Sequence, residues 1–260
     1  MISVVIPIYN NIRHLKDCLD SVLGQSYLES SHEGGGVHFP PLSRGVQRME
    51  SSRERGVPAS RQDSVEIILV DDGSDGAIAD EIKKIAGGLA VVRIPHAGAA
   101  IARNRGFAES RGEFVFFCDA DVILRGDCLE MMAAALADHP GAAYAYSDYQ
   151  LGWKKMPARV FDGEALKKIN YISTMSLLRR ADFCGFDGAL KRFQDWDLWL
   201  TMLERGKTGA YISEALFCAH PARFGMSKWR PGFWYKLFPW AKSVREYNQA
   251  REIVMRKHGL

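Results

Sequence analysis

Two short acidic clusters hold the residues best suited to chemistry. Asp71-Asp72-Gly73-Ser74 and Asp119-Ala120-Asp121 each follow an apolar, β-prone run, 65–70 and 113–118, and lie about forty-five residues apart. Runs that continuous read as strands buried on both faces. Carboxylates at the carboxyl ends of parallel strands meet in one cleft, where they can hold a divalent cation and a nucleotide. A diphosphate can instead be neutralised by a glycine-rich loop at a helix N-terminus. This chain has neither G-x-x-x-x-G-K nor G-x-G-x-x-G after a strand, so the carboxylate route is the one its residues offer. An isolated Asp-x-Asp can equally be a solvated turn; its place after a strand, matched by a second pair after an earlier strand, favours function.

The elements that must position these groups follow from periodicity. Residues 2–8 read as a first buried strand. Asn10 or Asn11 can cap a helix whose apolar positions Ile12, Leu15, Leu19, Val22 and Leu23 keep the 3.6 period. Residues 29–64 then hold five Gly, seven Ser and three Pro, with five acidic and five basic residues. Such a stretch buries too little to offset its ordering entropy and is expected to be a disordered or mobile insertion. Beyond it strands at 65–70, 90–94, 113–118 and 141–147 alternate with helices near 76–86, 98–110 and 127–137. That alternation predicts βαβ units and a mainly parallel, Rossmann-like α/β sheet flanked by helices. Further on, 172–178 reads as a strand, 195–204 as a buried helix, and Pro239 as the first residue of a final helix with Trp240, Val244, Tyr247 and Val254 on one face.

Composition excludes several classes. The 260 residues are 47% hydrophobic and 25% charged, as in a soluble globular protein. The longest apolar runs fall far short of the roughly 20 residues that span a bilayer, and the start lacks a signal peptide's charged region, so a cytoplasmic address is expected. The five cysteines are scattered and suggest reduced core thiols rather than a disulfide framework or zinc site. Net charge is +3, but residues 220–260 carry nine Lys and Arg against two Glu, leaving that end at +7 and the rest at −4. Rings alternate with cations between Trp229 and Trp240. This basic aromatic segment, 228–260, suits either a helix packed on the core with a basic outer face or peripheral contact with an anionic membrane. Nucleic acid is not expected, because no recognised binding motif accompanies the charge.

The motifs taken in order, 3–10 (SVVIPIYN), 66–74 (EIILVDDGS), 98–106 (GAAIARNRG) and Asp119-Ala120-Asp121, resemble those of the family 2 inverting glycosyltransferases with the GT-A fold. The likeness covers residues 1–27 and 65–227; the insertion is not part of the pattern. It implies one GT-A domain, with residues 1–125 binding the sugar nucleotide and 126–227 the acceptor. Pro7, Tyr9 and Asp72 would hold the base of a nucleotide sugar, commonly UDP, with the Tyr9 ring stacking and Asp72 accepting an N–H. Asp119 would sit near the ribose and metal, and Asp121 would ligate Mn²⁺ or Mg²⁺. Arg103 would contact the diphosphate or donor sugar, or be a plain surface arginine.

Gln194-Asp195-Trp196-Asp197 resembles the family's Glu-Asp catalytic motif, which makes Asp195 the general base or else a helix cap; Asp197 is the fallback. Gln194 stands where the motif usually has Glu. His220, in 220–227 (HPARFGMS), resembles a late loop that reaches the metal or diphosphate, with Ser227 a weaker candidate. The Gln-x-x-Arg-Trp motif and membrane helices of processive polysaccharide synthases are missing, so transfer of a single sugar to a glycan or lipid-linked acceptor is expected. A nucleotidyltransferase and a non-catalytic sugar-nucleotide-binding protein are the alternatives; the first would want a basic glycine-rich loop that 7–10 does not supply.

Overall fold

The computed structural model describes residues 1–29, 65–220 and 240–260. The expected 29–64 insertion, apart from Glu29, therefore lies outside the described residues. So do Pro239, Ser227 and the aromatic segment up to Trp240.

The first half follows the βαβ expectation. Strand β1 (Ile2–Ile8) leads through helix α1 (Leu15–Leu23) and the short α2 (Ser26–Glu29) toward β2 (Val65–Asp71). Helix α3 (Gly76–Ala86), β3 (Ala90–Arg93), α4 (Ala99–Glu109) and β4 (Phe114–Phe117) follow. Strands β3, β2, β1 and β4 lie side by side, all parallel. The chain leaves β1 toward β2 on one side and returns to β4 on the other. The strand order thus reverses at β1, the position where such sheets open a crevice beyond their carboxyl ends.

The second half is mixed. It comprises β5 (Val122–Leu124), α5 (Cys128–Asp138), β6 (Ala142–Leu151), β7 (Lys154–Met156), α6 (Gly163–Lys168), β8 (Leu177–Arg179), α7 (Gln194–Glu204), β9 (Thr208–Ala219) and α8 (Lys242–Lys257). Strand β8 pairs antiparallel with both β4 and β6, β6 runs parallel to β9, and β5 closes the edge against β9. One sheet therefore runs unbroken from β3 to β5, with β7 attached to β6.

Strand alternation divides the core between the two faces. On β1, Ile2, Val4, Ile6 and Ile8 pack against α1, α3 and α5, whereas Val5 packs with Ala102 of α4, Trp196 and Trp199 of α7 and Val254 of α8. Four cysteines are buried and none is disulfide-bonded.

Three local expectations need correction. Helix α1 begins at Leu15 after His14, because Asn10 is used elsewhere: it adopts a left-handed φ of 48° and its Oδ1 accepts from Asp75 N at 2.9 Å, tying the end of β1 to the loop after β2. Only Leu177–Arg179 of the anticipated 172–178 strand forms a strand. Upstream, Trp199 Nε1 donates to the Ile172 carbonyl, and the Ser176 N–H and hydroxyl turn back on Thr174 and Ser173, so that backbone cannot join the ladder. The last helix begins at Lys242. Val244 and Val254 are buried on it and Tyr247 meets Phe193, while Trp240 precedes the helix and is exposed.

Candidate active site

The carboxyl ends of β1, β2 and β4 open into one hollow of about 760 Å³. Pro7, Tyr9, Asp72, Arg103, Asp119 and Asp121 all line it, joined by His96, residues 97–100, 188–191 and Gln194. A depression of about 550 Å³ between α1 and α3, lined by Lys16, Asp20, Glu81, Lys84 and aliphatic side chains, touches none of these.

Asp72 is buried and its carboxylate already accepts two backbone donors, Ala97 N at 2.8 Å and Gly98 N at 2.9 Å, with His96 Nδ1 3.0 Å from Oδ2 and 3.1 Å from the Asp72 carbonyl. Its place in the hollow is as expected, but these bonds make it the anchor of the 96–98 turn. Gly73 permits the approach. With φ at 77°, a Cβ there would lie 2.6 Å from His96 N. His96 in turn stacks on Tyr9, ring centroids 3.9 Å apart and planes 18° from parallel, while Tyr9 stays 46% exposed. His96 was not anticipated; its signal was its position two residues before Gly98.

Arg103 is no surface arginine. It is buried on α4, gives one guanidinium nitrogen to Asp119 Oδ1 at 2.7 Å and another to Gln194 Oε1 at 3.1 Å, and its Nε has no partner. Gln194 Nε2 then donates to the Leu190 carbonyl. The amide that replaces a carboxylate here thus links α4 to the 188–191 wall of the hollow.

Asp121 follows β4 on the far side of Asp119. Burial, reinforced by the neighbouring Asp119 charge, pushes its carboxyl up to about 6. His220 N donates to the Asp121 carbonyl at 3.0 Å, its ring stacks on His14 at 4.0 Å, and its Nε2 is buried without a partner. Burial and the nearby His14 lower the His220 pKa, opposed by Asp121 and Asp17. Among the described residues no three His, Cys, Asp or Glu side chains close on one point.

Asp195 stands one residue behind Gln194 and is half-buried, outside the lining itself. Its Oδ2 accepts from Asn170 Nδ2 at 2.8 Å and its Oδ1 from Trp196 N at 2.9 Å. Burial nevertheless holds its pKa above the ordinary aspartate value, against those bonds and the charge of Arg103. Asn170 was missed because it lies in the irregular stretch before β8, where no periodicity marks it. Asp197, the fallback base, is 2% exposed and sealed in an ion cluster with Lys257 and His258.

This geometry meets an independent finding: the description of glycosyl transferase family 2 matches residues 49–195, more than half of the chain. The chain belongs to glycosyl transferase family 2. The match starts beyond β1, so the 3–10 motif joins the site through β1's pairing with β2 and β4 rather than through the matched region. The chain is 25% identical over 231 residues to the putative teichuronic acid biosynthesis glycosyltransferase TuaG of Bacillus subtilis, covering 83% of this chain and 77% of that one. It is 26% identical over 140 residues to the putative glycosyltransferase EpsH of the same organism, covering 53% of this chain and 30% of EpsH. The match likewise spans only about a third of the glycosyltransferase GlyG of Streptococcus pneumoniae.

Among solved structures, TarS 1–349 of S. aureus in complex with UDP-GlcNAc superposes with a TM-score of 0.61 at 18% identity, covering 91% of this chain and 64% of that one. Glucosyl-3-phosphoglycerate synthase from Mycobacterium tuberculosis, in complex with Mn²⁺, UDP and phosphoglyceric acid, gives 0.57 at 18%, covering 98% and 78%. The fold is GT-A. No helix among the described residues is long and apolar enough to cross a membrane.

Proposed function

We propose that this family 2 member is a metal-dependent, inverting glycosyltransferase that moves one sugar from a UDP-sugar to an acceptor hydroxyl. One observation carries the reading. Tyr9, Arg103, Asp119 and Asp121, from separate stretches of chain, line a single hollow together with Gln194, the residue next to Asp195. The similar folds that hold UDP-GlcNAc, UDP with Mn²⁺, or GDP-Man with Mn²⁺ support a nucleotide-sugar donor and a divalent ion.

The residues present fit a cation of the Mn²⁺ or Mg²⁺ kind. Asp121 is a half-buried carboxyl beside a second carboxylate, and His220 Nε2 is buried with nothing to bond. Asp121 would be the principal ligand, with Asp119 and His220 the neighbouring groups that could complete the set only by moving closer, since they do not converge on one point here; the ion would supply positive charge against the departing diphosphate. At the other end of the hollow Pro7 and the exposed ring of Tyr9 form the platform for the base, kept in place by the Asp72-anchored turn. Arg103, which lines the hollow and is held by Asp119 and Gln194, would offer its charge to the phosphates from a fixed position, the condition under which electrostatic stabilisation is most effective.

Asp195 takes the proton of the acceptor hydroxyl, and its raised pKa makes it a stronger base than an ordinary aspartate. Attack from its side expels the nucleotide from the opposite face, which inverts the anomeric carbon. On this reading residues 1–125 chiefly serve the donor and 126–227 chiefly the acceptor, with 188–191 and Gln194 reaching across to line the donor hollow. The acceptor is a glycan or a lipid-linked glycan, and the +7 C-terminal end gives an anionic membrane surface on the cytoplasmic side a place to attract the protein.

The test is UDP release by purified protein from a panel of UDP-sugars with an acceptor extract, with Mn²⁺ and then with EDTA, alongside thermal shifts. Metal-dependent stabilisation and release are expected. Pyrophosphate release from a nucleoside triphosphate and a sugar phosphate would replace the reading with nucleotidyl transfer. Stabilisation without release across the panel would leave a binding protein.

A further inference from the structure

The wall of the hollow formed by residues 188–191 is held from outside the site. Asp187, immediately before it, uses Oδ1 to accept from Ala189 N at 2.9 Å and Oδ2 to accept from Lys257 Nζ at 2.7 Å. Lys257 is the last residue of α8, and the same ammonium lies 2.9 Å from Asp197 Oδ1, on α7 two residues beyond Asp195. The next residue, His258, places Nε2 2.9 Å from Asp197 and Nδ1 2.7 Å from Glu204. Both His258 and Asp197 side chains are 3% exposed.

The other end of the same loop also meets α8. Phe193 has a left-handed φ of 60°, a conformation that a bulky residue keeps only when its surroundings enforce it. Its ring is gripped edge-on by Tyr247 of α8 at 5.0 Å and by Trp196 at 5.8 Å. Between the two anchor points the wall presses on α4, where a Cβ at Gly188 would lie 2.9 Å from Ile101 Cγ1. It is also bonded through Leu190 O to Gln194, the partner of Arg103.

We infer that Lys257 is a positioning residue for the donor pocket: by bridging Asp187 and Asp197 it fixes the 188–191 wall and the start of α7 relative to each other. The C-terminal helix is then a strut for the active site, gripping the loop at 187 and at 193 without touching substrate. This inference rests on the reading of the hollow as the sugar-nucleotide site.

Lys257→Ala is expected to raise the donor KM and Kd by roughly two- to thirtyfold, the range for residues coupled to a site they do not contact, with kcat changed less than twofold. Hydrogen exchange at 187–193 in nucleotide-free protein should rise with it. Lys257→Arg should restore both. Asp187→Asn, which breaks the same bridge from the loop without stranding a buried charge, should reproduce the KM effect if Lys257→Ala folds poorly. Arg256→Ala, removing an equal charge from an exposed pair on the same turn, should leave KM unchanged. The inference is overturned if Lys257→Ala and Asp187→Asn lower the melting temperature yet keep wild-type KM and exchange at 187–193, or if Arg256→Ala raises KM as much. A wild-type protein that binds no nucleotide sugar, with exchange still rising in Lys257→Ala, would sink the donor reading and leave the strut standing.

Discussion

Gly106 sits on the face of α4 that packs against the centre of the sheet. A Cβ at this position would meet Val5 Cγ1 at 2.2 Å and Val70 Cγ2 at 3.0 Å. Carbon atoms in contact prefer about 3.5–4.0 Å, so Gly106→Ala demands that the helix retreat by about 1.3 Å or more, or that Val5 yield. Val5 and Val70 are fully buried in neighbouring strands and, being β-branched, have few rotamers to spare.

Overpacking of this kind costs about 1–3 kcal/mol, and a contact this short belongs at the upper end. Alanine's better helix propensity returns about 1 kcal/mol. The net loss is about 2 kcal/mol, or about 4–8 °C in Tm for a chain of this size. The effect should reach the site, because Arg103 lies one turn earlier on the same helix and its bonds to Asp119 and Gln194 depend on where α4 rests. Urea and thermal unfolding, with UDP-sugar affinity measured in parallel, check it. Gly76→Ala is the control, since that position begins α3 with nothing within 4 Å of a Cβ; it should be neutral or slightly stabilising. A Gly106→Ala protein as stable as wild type with unchanged donor affinity would refute the close-packing argument.

Asp195→Asn should keep donor affinity within about twofold and lower kcat by about 10²- to 10⁴-fold, the usual contribution of a general base; near-normal turnover in a UDP-release assay would place the base elsewhere. Asn170→Ala removes a donor that favours the charged form of Asp195. The carboxyl pKa then rises further, and the acid limb of the kcat–pH profile moves to higher pH with its plateau nearly preserved; a shift to lower pH, or none, contradicts that role. His258→Ala leaves Asp197 buried with Lys257 as its remaining ionic partner. Removing one hydrogen-bond partner of a charged group costs about 1.5–3 kcal/mol, so a loss of about 2 kcal/mol is expected in urea unfolding, and less than about 0.5 kcal/mol would show that the cluster is not stabilising.

The donor side was legible because its strands are covered on both faces. Residues 2–8, 65–71 and 114–117 are apolar almost throughout, and each ends directly in a polar cluster, so strand boundaries and site residues were marked by the same signal. The far side lacks such punctuation. Strand β9 carries polar residues and register shifts against β6 near Ile212 and Ala215, and β5, β7 and β8 are three residues long. Roles set by several bonds at once were also hidden. Nothing in the spacing distinguishes an Asp72 that anchors a turn from one that reaches a base, and nothing near Asn170 foretells that it bonds a residue twenty-five positions on. Asp197 looked interchangeable with Asp195, because only packing against a helix sixty residues later shows that it faces away.

The join at β4 has a mechanical consequence. This strand is hydrogen-bonded to β1 on one side and β8 on the other, so a single pleated girder passes beneath both walls of the hollow. Rocking one wall against the other would require backbone bonds in its middle to part. Any narrowing around a bound molecule must therefore come from side chains and the short segments above the strand ends, and the floor on which Asp119 stands should keep its shape throughout a reaction cycle.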